Sequence, residues 1–306
     1  MSASYLAVCV GATIGLLAGC SGSSPVPIAG ATSSSGSSPG MAARAHYLYV
    51  SNAGNSVTVL SAKSFQQVGE ISDGLNGADG LWVDTKGNFY VANYSAPNVT
   101  EYKPGASKPS CTYSAQLVDP TNVTTDTSGN VYVVDLNYAS YPGYIYKYAQ
   151  CEGNVVAHSY TIDVAPSGVA VDAQGDVFVS YASPYGGGHF EEFTNGGSFY
   201  KILGATVGKA GGLLIDARGN LIADDQSGSI DLIAPPYATG KLLIGGLNDP
   251  FHCSLNRSED LLFSADHGSK TVTIYEYPSG KLVKTLDKNN GIYAAEGVAV
   301  SPDAVF

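Results

Sequence analysis

Charge is scarce in this chain, and basic charge is the scarcest. Asp, Glu, Lys and Arg make up 13% of the 306 residues, and 15 Lys and Arg face 26 Asp and Glu, for a net charge of −11. Nucleic-acid binding requires clusters of Lys and Arg that neutralise phosphates, and electrostatic docking on anionic lipid requires a polybasic segment. Both classes of partner are therefore excluded.

Several sequence patterns are also missing. No segment repeats apolar residues at the 3.6-residue period of an amphipathic helix, and the motifs G-x-S-x-G and H-E-x-x-H and metal-spaced cysteine pairs are absent. Glycine (37) and tyrosine (21) are abundant instead, in a chain that is 44% hydrophobic. This composition is typical of a large core built from short strands joined by tight turns.

Residues 1–44 are predicted to export and tether the protein. The apolar run over residues 5–18 is short for a membrane span and indicates a signal peptide over residues 1–19. It ends in "LAGC", which resembles the bacterial lipobox and implies lipidation of Cys20 in an exported, membrane-anchored lipoprotein that faces the periplasm or the cell surface. The alternative is an apolar run followed by a chance cysteine. Residues 20–44, rich in Ser, Gly and Pro, are expected to form a flexible tether.

Three cysteines follow the tether. Cys111 and Cys151 occupy equivalent positions in neighbouring repeats. Either they form a disulfide in an oxidising compartment or they are separate thiols too far apart to bridge, and we favour the separate thiols. Cys253 lies inside an apolar segment and is expected to be an inert core thiol.

One pattern recurs along the rest of the chain. "GLWVDTKGNFYVAN" begins at residue 80, and similar stretches begin at residues 122, 168 and 212. An Asp recurs at the same position of four units, and Asn or Ser replaces it in the last two. The six positions are Asp84, Asp126, Asp172, Asp216, Asn256 and Ser301. Steps of 40 to 46 residues match a four-stranded propeller blade. In each unit, apolar strands flank a D-x-x-G-N turn, in which Asp bonds nearby backbone and Gly accepts a positive φ.

The two ends of the repeat region predict how the ring closes. The stretch from His46 supplies a second, third and fourth strand, whereas "GVAVSPDAVF" at the other end supplies a first strand. Residues 45–306 are therefore predicted to be an all-β, six-bladed β-propeller of four-stranded blades, closed by pairing of the N- and C-terminal strands. "GVAVDAQGDVFVS" resembles the NHL repeat, and "LYVSNAGNSVTVLSA" is similar to the related YVTN repeat.

Two columns of residues precede each repeated Asp and are expected at the mouth of the central channel. The polar groups of these columns that are most expected to look into the channel are Asp79, Asn122, His252 and Glu296. Glu296, Asp79 and Asn122 offer oxygen ligands for Ca²⁺ or another divalent metal, although we favour bonds to strand-end amides or channel water, so that no cofactor is certain. "AAEGVAV" resembles the metal-binding Glu-Gly of SMP-30/gluconolactonase proteins, which implies metal-dependent lactone hydrolysis.

Other candidate residues end the second strands or follow them. The strand-end residues are expected to cap the following turns, and they are Asn52, Asn93, Asp135, Asp225 and Asp266. Tyrosines in three consecutive loops predict a binding face, and they are Tyr94, Tyr138, Tyr141 and Tyr185. Histidines without a recognisable partner are assigned to the surface, namely His46, His158, His189 and His267.

These patterns favour an envelope-anchored binding module over an enzyme. Its partner is expected to be a protein or a glycan, and its contact with the membrane is expected to pass through the lipid anchor alone. The alternative is a divalent-metal-dependent lactone hydrolase of the SMP-30/gluconolactonase type.

Overall fold

The described part of the chain folds as β-sheet. The computed structural model describes residues 46–137, 142–162, 164–197, 199–302 and 304. Within these ranges, 24 strands form six sheets of four antiparallel strands each, and no helix is long and apolar enough to cross a bilayer. Two short 3-10 turns, Asn195–Gly197 and Lys288–Asn290, interrupt the connections. The predicted all-β propeller of six four-stranded blades is confirmed.

In each of the first three blades, four strands lie side by side from the channel outward. Blade 1 consists of β24 (Ala295–Val300), β1 (Tyr47–Asn52), β2 (Ser56–Ser61) and β3 (Gln67–Ile71). Blade 2 consists of β4 (Ala78–Val83), β5 (Phe89–Asn93), β6 (Asn98–Tyr102) and β7 (Cys111–Tyr113). Blade 3 consists of β8 (Pro120–Thr125), β9 (Val131–Asp135), β10 (Gly143–Tyr148) and β11 (His158–Ile162).

The second half of the ring repeats the same order. Blade 4 consists of β12 (Ala165–Val171), β13 (Val177–Ala182), β14 (Gly188–Thr194) and β15 (Phe199–Ile202). Blade 5 consists of β16 (Ala210–Ile215), β17 (Leu221–Asp225), β18 (Ser229–Ile233) and β19 (Lys241–Gly245). Blade 6 consists of β20 (Pro250–Leu255), β21 (Leu261–Asp266), β22 (Thr271–Glu276) and β23 (Lys281–Leu286).

The ring closes through blade 1, as the sequence predicts. Strand β24, near the end of the chain, pairs antiparallel with β1, placing Val298 opposite Val50 and Val300 opposite Leu48. Its other neighbours are the inner strands β4 and β20, so the six inner strands contact one another in a closed circle. Closure gives blade 1 its innermost strand from the end of the chain, so all six blades have four strands and their inner strands surround the channel.

The repeated sequence pattern has a local cause. In the first repeat, Asp84 Oδ1 accepts hydrogen bonds from the backbone N–H groups of Lys86 and Asn88 at 2.9 and 2.8 Å. Asp84 Oδ2 accepts from the Asn88 side chain at 2.7 Å, and Gly87 adopts a φ of 86°. The corresponding bonds recur at Asp126 and Asp216. Because each Asp satisfies the donors of its own turn, the motif is structural in these blades.

The core is divided among the blade interfaces. Six clusters of buried apolar side chains occur in the described residues, and each joins two adjacent blades. Tyrosine contributes to several of them because its hydroxyl reaches a polar partner at the blade edge. Tyr102, for example, donates to the Asp73 carbonyl at 2.7 Å, and Tyr148 donates to the Ala115 carbonyl at 2.6 Å. Much of the abundant tyrosine is therefore core.

A disulfide joins blades 2 and 3, which corrects our expectation of separate thiols. Cys111 opens β7, Cys151 lies in the turn after β10, and their Cα atoms are 5.4 Å apart. The two positions are equivalent along the repeat, but the outer edges of adjacent blades approach each other there. Tyr113 contributes to this approach, since its hydroxyl accepts from the Cys151 backbone N–H at 3.0 Å. Equivalent repeat positions therefore need not be far apart.

Candidate functional site

A cavity of about 570 Å³ lies at the mouth of the channel. It is lined by the starts of the inner strands and by loops between second and third strands, including Asn55, Tyr94 and Gln226. The inner-strand column contributes one lining residue from each blade, and these are Asp79, Thr121, Ser167, Gly211, Phe251 and Glu296. The cavity therefore opens on the face of the ring that carries the loops between second and third strands.

A bulge in every described inner strand turns this column toward the cavity. In β20, Pro250 pairs with Asp266 and His252 with Ala265, so Phe251 is an extra residue without a partner in β21. The same register shift occurs at the equivalent position of the other five inner strands. Bulges redirect a side chain while the rest of the strand keeps its pairing. One local irregularity, repeated six times, thus builds the cavity wall.

The next position in each strand is glycine in four blades, where the neighbouring inner strand lies very close. A Cβ atom on Gly212 would lie 2.7 Å from His252 Nδ1, and one on Gly297 would lie 2.4 Å from the Asp79 carbonyl oxygen. Blades 3 and 6 carry Asn122 and His252 at this position instead. These two blades face each other across the ring, so their side chains meet in the channel.

Asn122 determines which nitrogen of His252 faces the cavity. Asn122 Oδ1 accepts from the backbone N–H of Val123 at 2.7 Å, which leaves its Nδ2 group to donate to His252 Nδ1 at 3.1 Å. A neutral His252 therefore carries its proton on Nε2. His252 Nε2 lies 3.3 Å from Asp79 Oδ1, but the two are not aligned as a hydrogen bond, and both atoms lack a hydrogen-bond partner in the described structure.

Unpartnered polar atoms concentrate at this site. Six such buried atoms occur in the described residues, and four of them lie at the channel mouth: Asp79 Oδ1, Thr121 Oγ1, His252 Nε2 and His267 Nδ1. Asp79 and His252 are each only 6% exposed. Buried polar groups are normally paired, because leaving one unsatisfied costs about 1–3 kcal/mol. The arrangement thus offers donors and acceptors to a ligand.

Glu296 adds a second carboxyl to the cavity wall. Burial, reinforced by the negative charge of Asp79, raises the pKa of Glu296 to about 7, while His252 opposes the shift. His267 Nδ1 lies 3.8 Å from Glu296 Oε1, and the His267 ring is 5.7 Å from that of Phe251. The His267 side chain is 37% exposed, as its assignment to the surface predicts, but the turn after β21 also brings it beside Glu296. No pattern in the sequence marks that proximity.

A second polar pair lies deeper, outside the cavity. Asp224 is fully buried, and the Cys253 Sγ atom is 3.1 Å from both of its carboxylate oxygens. Burial raises the pKa of Asp224 to about 6, and burial together with the Asp224 charge raises the pKa of the Cys253 thiol. A buried thiol held in its protonated form is a poor nucleophile. The prediction that Cys253 is a core thiol is confirmed, and the raised pKa agrees with low reactivity.

The strand-end column proves to be structural, with one difference from our expectation. Asp135 accepts from the backbone N–H groups of Val118 and Asp119, which precede the first strand of its own blade. Asp225 likewise accepts from Gly208 and Lys209 at 2.7 and 2.8 Å. These side chains therefore hold the crossing from the previous blade. Asp225 and Asp266 also cap the turn that follows their strand.

The candidate tyrosines occupy different environments. Tyr94 lines the cavity and is 41% exposed, whereas Tyr185 is 98% exposed and outside the cavity lining. Tyr138 and Tyr141 lie outside the described residues. Among the residues assigned to the surface, His46 and His158 are exposed, and His189 stacks on Tyr181 with ring centroids 5.8 Å apart.

The predicted metal ligands do not fit a divalent ion as they are placed. The Asn122 oxygen is engaged by Val123, and the Asn122 amide group faces His252. Among the described His, Cys, Asp and Glu residues, the group of three with ligand atoms within 4.8 Å of one another is Glu101, Cys111 and Cys151, whose cysteines form the disulfide. His252 Nε2 and Asp79 Oδ1 are 3.3 Å apart, but Asp79, His252 and Glu296 do not all lie within 4.8 Å of one another as metal ligands do.

Comparison with known proteins identifies the fold. No protein-family model matches the chain, and no curated protein matches it. A chain in the crystal structure of a nidogen/laminin complex is similar over 85% of this chain and 99% of its own length, with 17% identity and a TM-score of 0.67. A protein of unknown function from Bacteroides caccae covers 84% and 99%, with 12% identity and a TM-score of 0.65. A functionally unknown protein from Desulfotomaculum acetoxidans covers 84% and 98%, with 13% identity and a TM-score of 0.60.

Proposed function

We propose that this protein is a binding module and that its channel-mouth cavity receives the end of a glycan. The observation that carries the proposal is the pair of buried, unpartnered atoms Asp79 Oδ1 and His252 Nε2 beside a cavity of about 570 Å³. Small-ligand sites commonly occupy roughly 300–1,000 Å³ and combine an apolar lining with a few convergent polar groups.

The chemistry of the lining suits a sugar. Asp79 Oδ1 is an acceptor, His252 Nε2–H is a donor and the Thr121 hydroxyl is both. Sugar hydroxyls also donate and accept, so they complement such a mixed set. The rings of Phe251 and Tyr94 line the same cavity and offer apolar surface to the face of a sugar ring. Two carboxyl groups, on Asp79 and Glu296, disfavour an anionic ligand.

Calorimetric titration with neutral mono- and oligosaccharides tests this function. Phe251→Ala removes a ring from the cavity wall and is expected to weaken binding at least about tenfold. The matched control is Tyr185→Ala, which removes an exposed ring outside the cavity lining and is expected to leave affinity unchanged. If no sugar binds, whether neutral or basic, or if only Tyr185→Ala weakens binding, the cavity is not the glycan site. Weaker binding with Tyr185→Ala alone would favour a protein partner at the loops that carry the candidate tyrosines, as one structural neighbour comes from a protein complex.

We also propose that the module is held at the bacterial envelope through a lipid on Cys20. The support is the apolar segment over residues 5–18, the "LAGC" that ends it and the Ser/Gly/Pro-rich stretch that follows. All three lie outside the described residues. A tether of this composition holds a folded domain at a membrane while leaving its binding face free to turn.

A metal-dependent lactone hydrolase is the second candidate. Glu296, with its pKa raised to about 7, is suited to proton transfer near neutral pH. Because Asn122 is not placed as an oxygen ligand, we derive no catalytic step through a metal. Metal analysis of purified protein, with lactone hydrolysis assayed in added Ca²⁺, Mg²⁺, Mn²⁺ or Zn²⁺, tests this candidate. Bound metal with turnover that Glu296→Gln abolishes would make the enzyme the better description.

A further inference from the structure

The cavity has an imbalance of charge that a neutral ligand leaves uncorrected. Asp79 and Glu296 both line it, and among the described lining residues Lys209 alone carries a permanent positive charge. The Lys209 side chain is 61% exposed and lies 3.9 Å from Asp249, so its charge is directed to the rim. The inner wall therefore presents two carboxyl groups whose nearby basic groups are imidazoles, with His252 Nε2 3.3 Å from Asp79 Oδ1 and His267 Nδ1 3.8 Å from Glu296 Oε1.

The two carboxyl groups come from adjacent blades and line the same cavity. Gly297, which follows Glu296, packs against the Asp79 carbonyl so closely that no side chain fits between them. Asp79 Oδ1 is buried and lacks a hydrogen-bond partner. The pKa of Glu296 is raised partly by the charge of Asp79, which agrees with their proximity. A buried carboxylate oxygen without a hydrogen bond is costly.

We propose that the ligand carries a protonated amine, which binds at Asp79 and Glu296, and that the glycan recognised is therefore an amino sugar. This inference rests on the proposed glycan-binding function and narrows its ligand class. An ammonium group donates up to three hydrogen bonds and accepts none, so it satisfies Asp79 Oδ1 directly. Phe251 lines the same cavity, and an aromatic ring attracts a cation placed over its face.

The neighbouring donor places a hydroxyl beside the amine. In the neutral form of His252, the proton is on Nε2, which lies 3.3 Å from Asp79 Oδ1. An acceptor and a donor at this spacing match an ammonium and a hydroxyl on adjacent carbon atoms, whose heteroatoms lie about a hydrogen-bond length apart. A 2-amino-2-deoxy sugar has this pair, whereas N-acetylation removes the positive charge. The wider separation of the carboxyl groups and imidazole favours such a molecule over a bare metal ion.

Calorimetric titration with glucosamine, glucose and N-acetylglucosamine tests the inference at about pH 7, where an α-amino-type group is largely protonated. Glucosamine is expected to bind at least about tenfold more tightly than either neutral sugar. Asp79→Asn keeps the shape of the side chain and is expected to weaken glucosamine binding at least about tenfold more than it weakens glucose binding, and an unchanged denaturant midpoint shows that the variant is folded. Glu70→Gln makes the analogous change on an exposed residue of β3 and is expected to have no effect.

Three results would overturn the inference, and they separate it from the proposed function. Equal affinity for glucosamine and glucose at the cavity leaves a glycan-binding module that does not recognise an amine. Binding of none of the three sugars removes the glycan function and the amine preference together. A glucosamine preference that survives Asp79→Asn, or that Glu70→Gln reduces equally, reflects general attraction to a protein of net charge −11 and not a built ammonium site.

Discussion

Replacing both Cys111 and Cys151 with serine is expected to lower the free energy of unfolding by about 4 kcal/mol. The disulfide closes a loop with a sequence separation of 40. In the chain-entropy description, a cross-link over a loop of this length restricts the unfolded chain by about 13 cal/mol/K, or about 4 kcal/mol near room temperature. Serine is tolerated at both sites, since Cys111 is half-buried and Cys151 is exposed. For a domain of this size the loss lowers the Tm by roughly 10 °C.

Denaturant unfolding of the wild type and of the double variant, each with and without reducing agent, measures the effect. Reduction is expected to destabilise the wild type to the level of the variant and to leave the variant unchanged. Mass analysis after alkylation without reduction adds a control, because the bonded cysteines take up no label. If the wild type and the variant unfold at the same denaturant concentration, or if both cysteines alkylate in the folded protein, the bridge between blades 2 and 3 is not formed.

Three further predictions concern closure of the ring, proton binding and the anchor. Val298→Ala, in the closing strand, removes fully buried methyl groups and is expected to lower the free energy of unfolding by about 2 kcal/mol in denaturant titration. The control Val283→Ala, at a residue of β23 that is 52% exposed, is expected to lower it by less than about 0.5 kcal/mol. Equal losses of stability would contradict the role of β24. The raised pKa of Glu296 means that the native state binds this proton more tightly, so its contribution to stability is complete below about 4.5 and is lost as the pH rises through about 7. Glu296→Gln should therefore gain about 1–2 kcal/mol relative to the wild type between acid and mildly alkaline pH, and parallel pH profiles would refute the assignment. Cys20→Ala is expected to release the protein from membranes or leave an unprocessed precursor, and unchanged mass and membrane association would exclude lipidation.

The cysteines show how far a repeat can be used to predict contacts. The step of 40 between Cys111 and Cys151 correctly places them at equivalent positions of neighbouring blades. The period does not report the distance between blades at a given radius, so the expectation of separate thiols was wrong. The bond depends on a chain turn after β10 that carries Cys151, with a φ of 58°, toward the outer strand of blade 2.

Part of the candidate site can likewise be predicted from the sequence, and part cannot. Counting back from each repeated Asp finds the column that lines the cavity, because the same position of each inner strand carries the same bulge. The count does not show that Asn122 and His252 meet across the ring, that Asn122 uses its oxygen on Val123, or that His267 lies beside Glu296. Those contacts join blades that are far apart along the chain.

The sequence by itself determines the blade, the number of blades and the closure of the ring, since these follow from local turn chemistry and from a period that counts strands. Asp84 and its equivalents bind their own turns, and the split first blade fixes which ends must pair. Only the tertiary structure decides the site. Its chemistry depends on distances across the channel between side chains such as Asp79 and His252, and a local repeat carries no information about which residues meet at the axis it encloses.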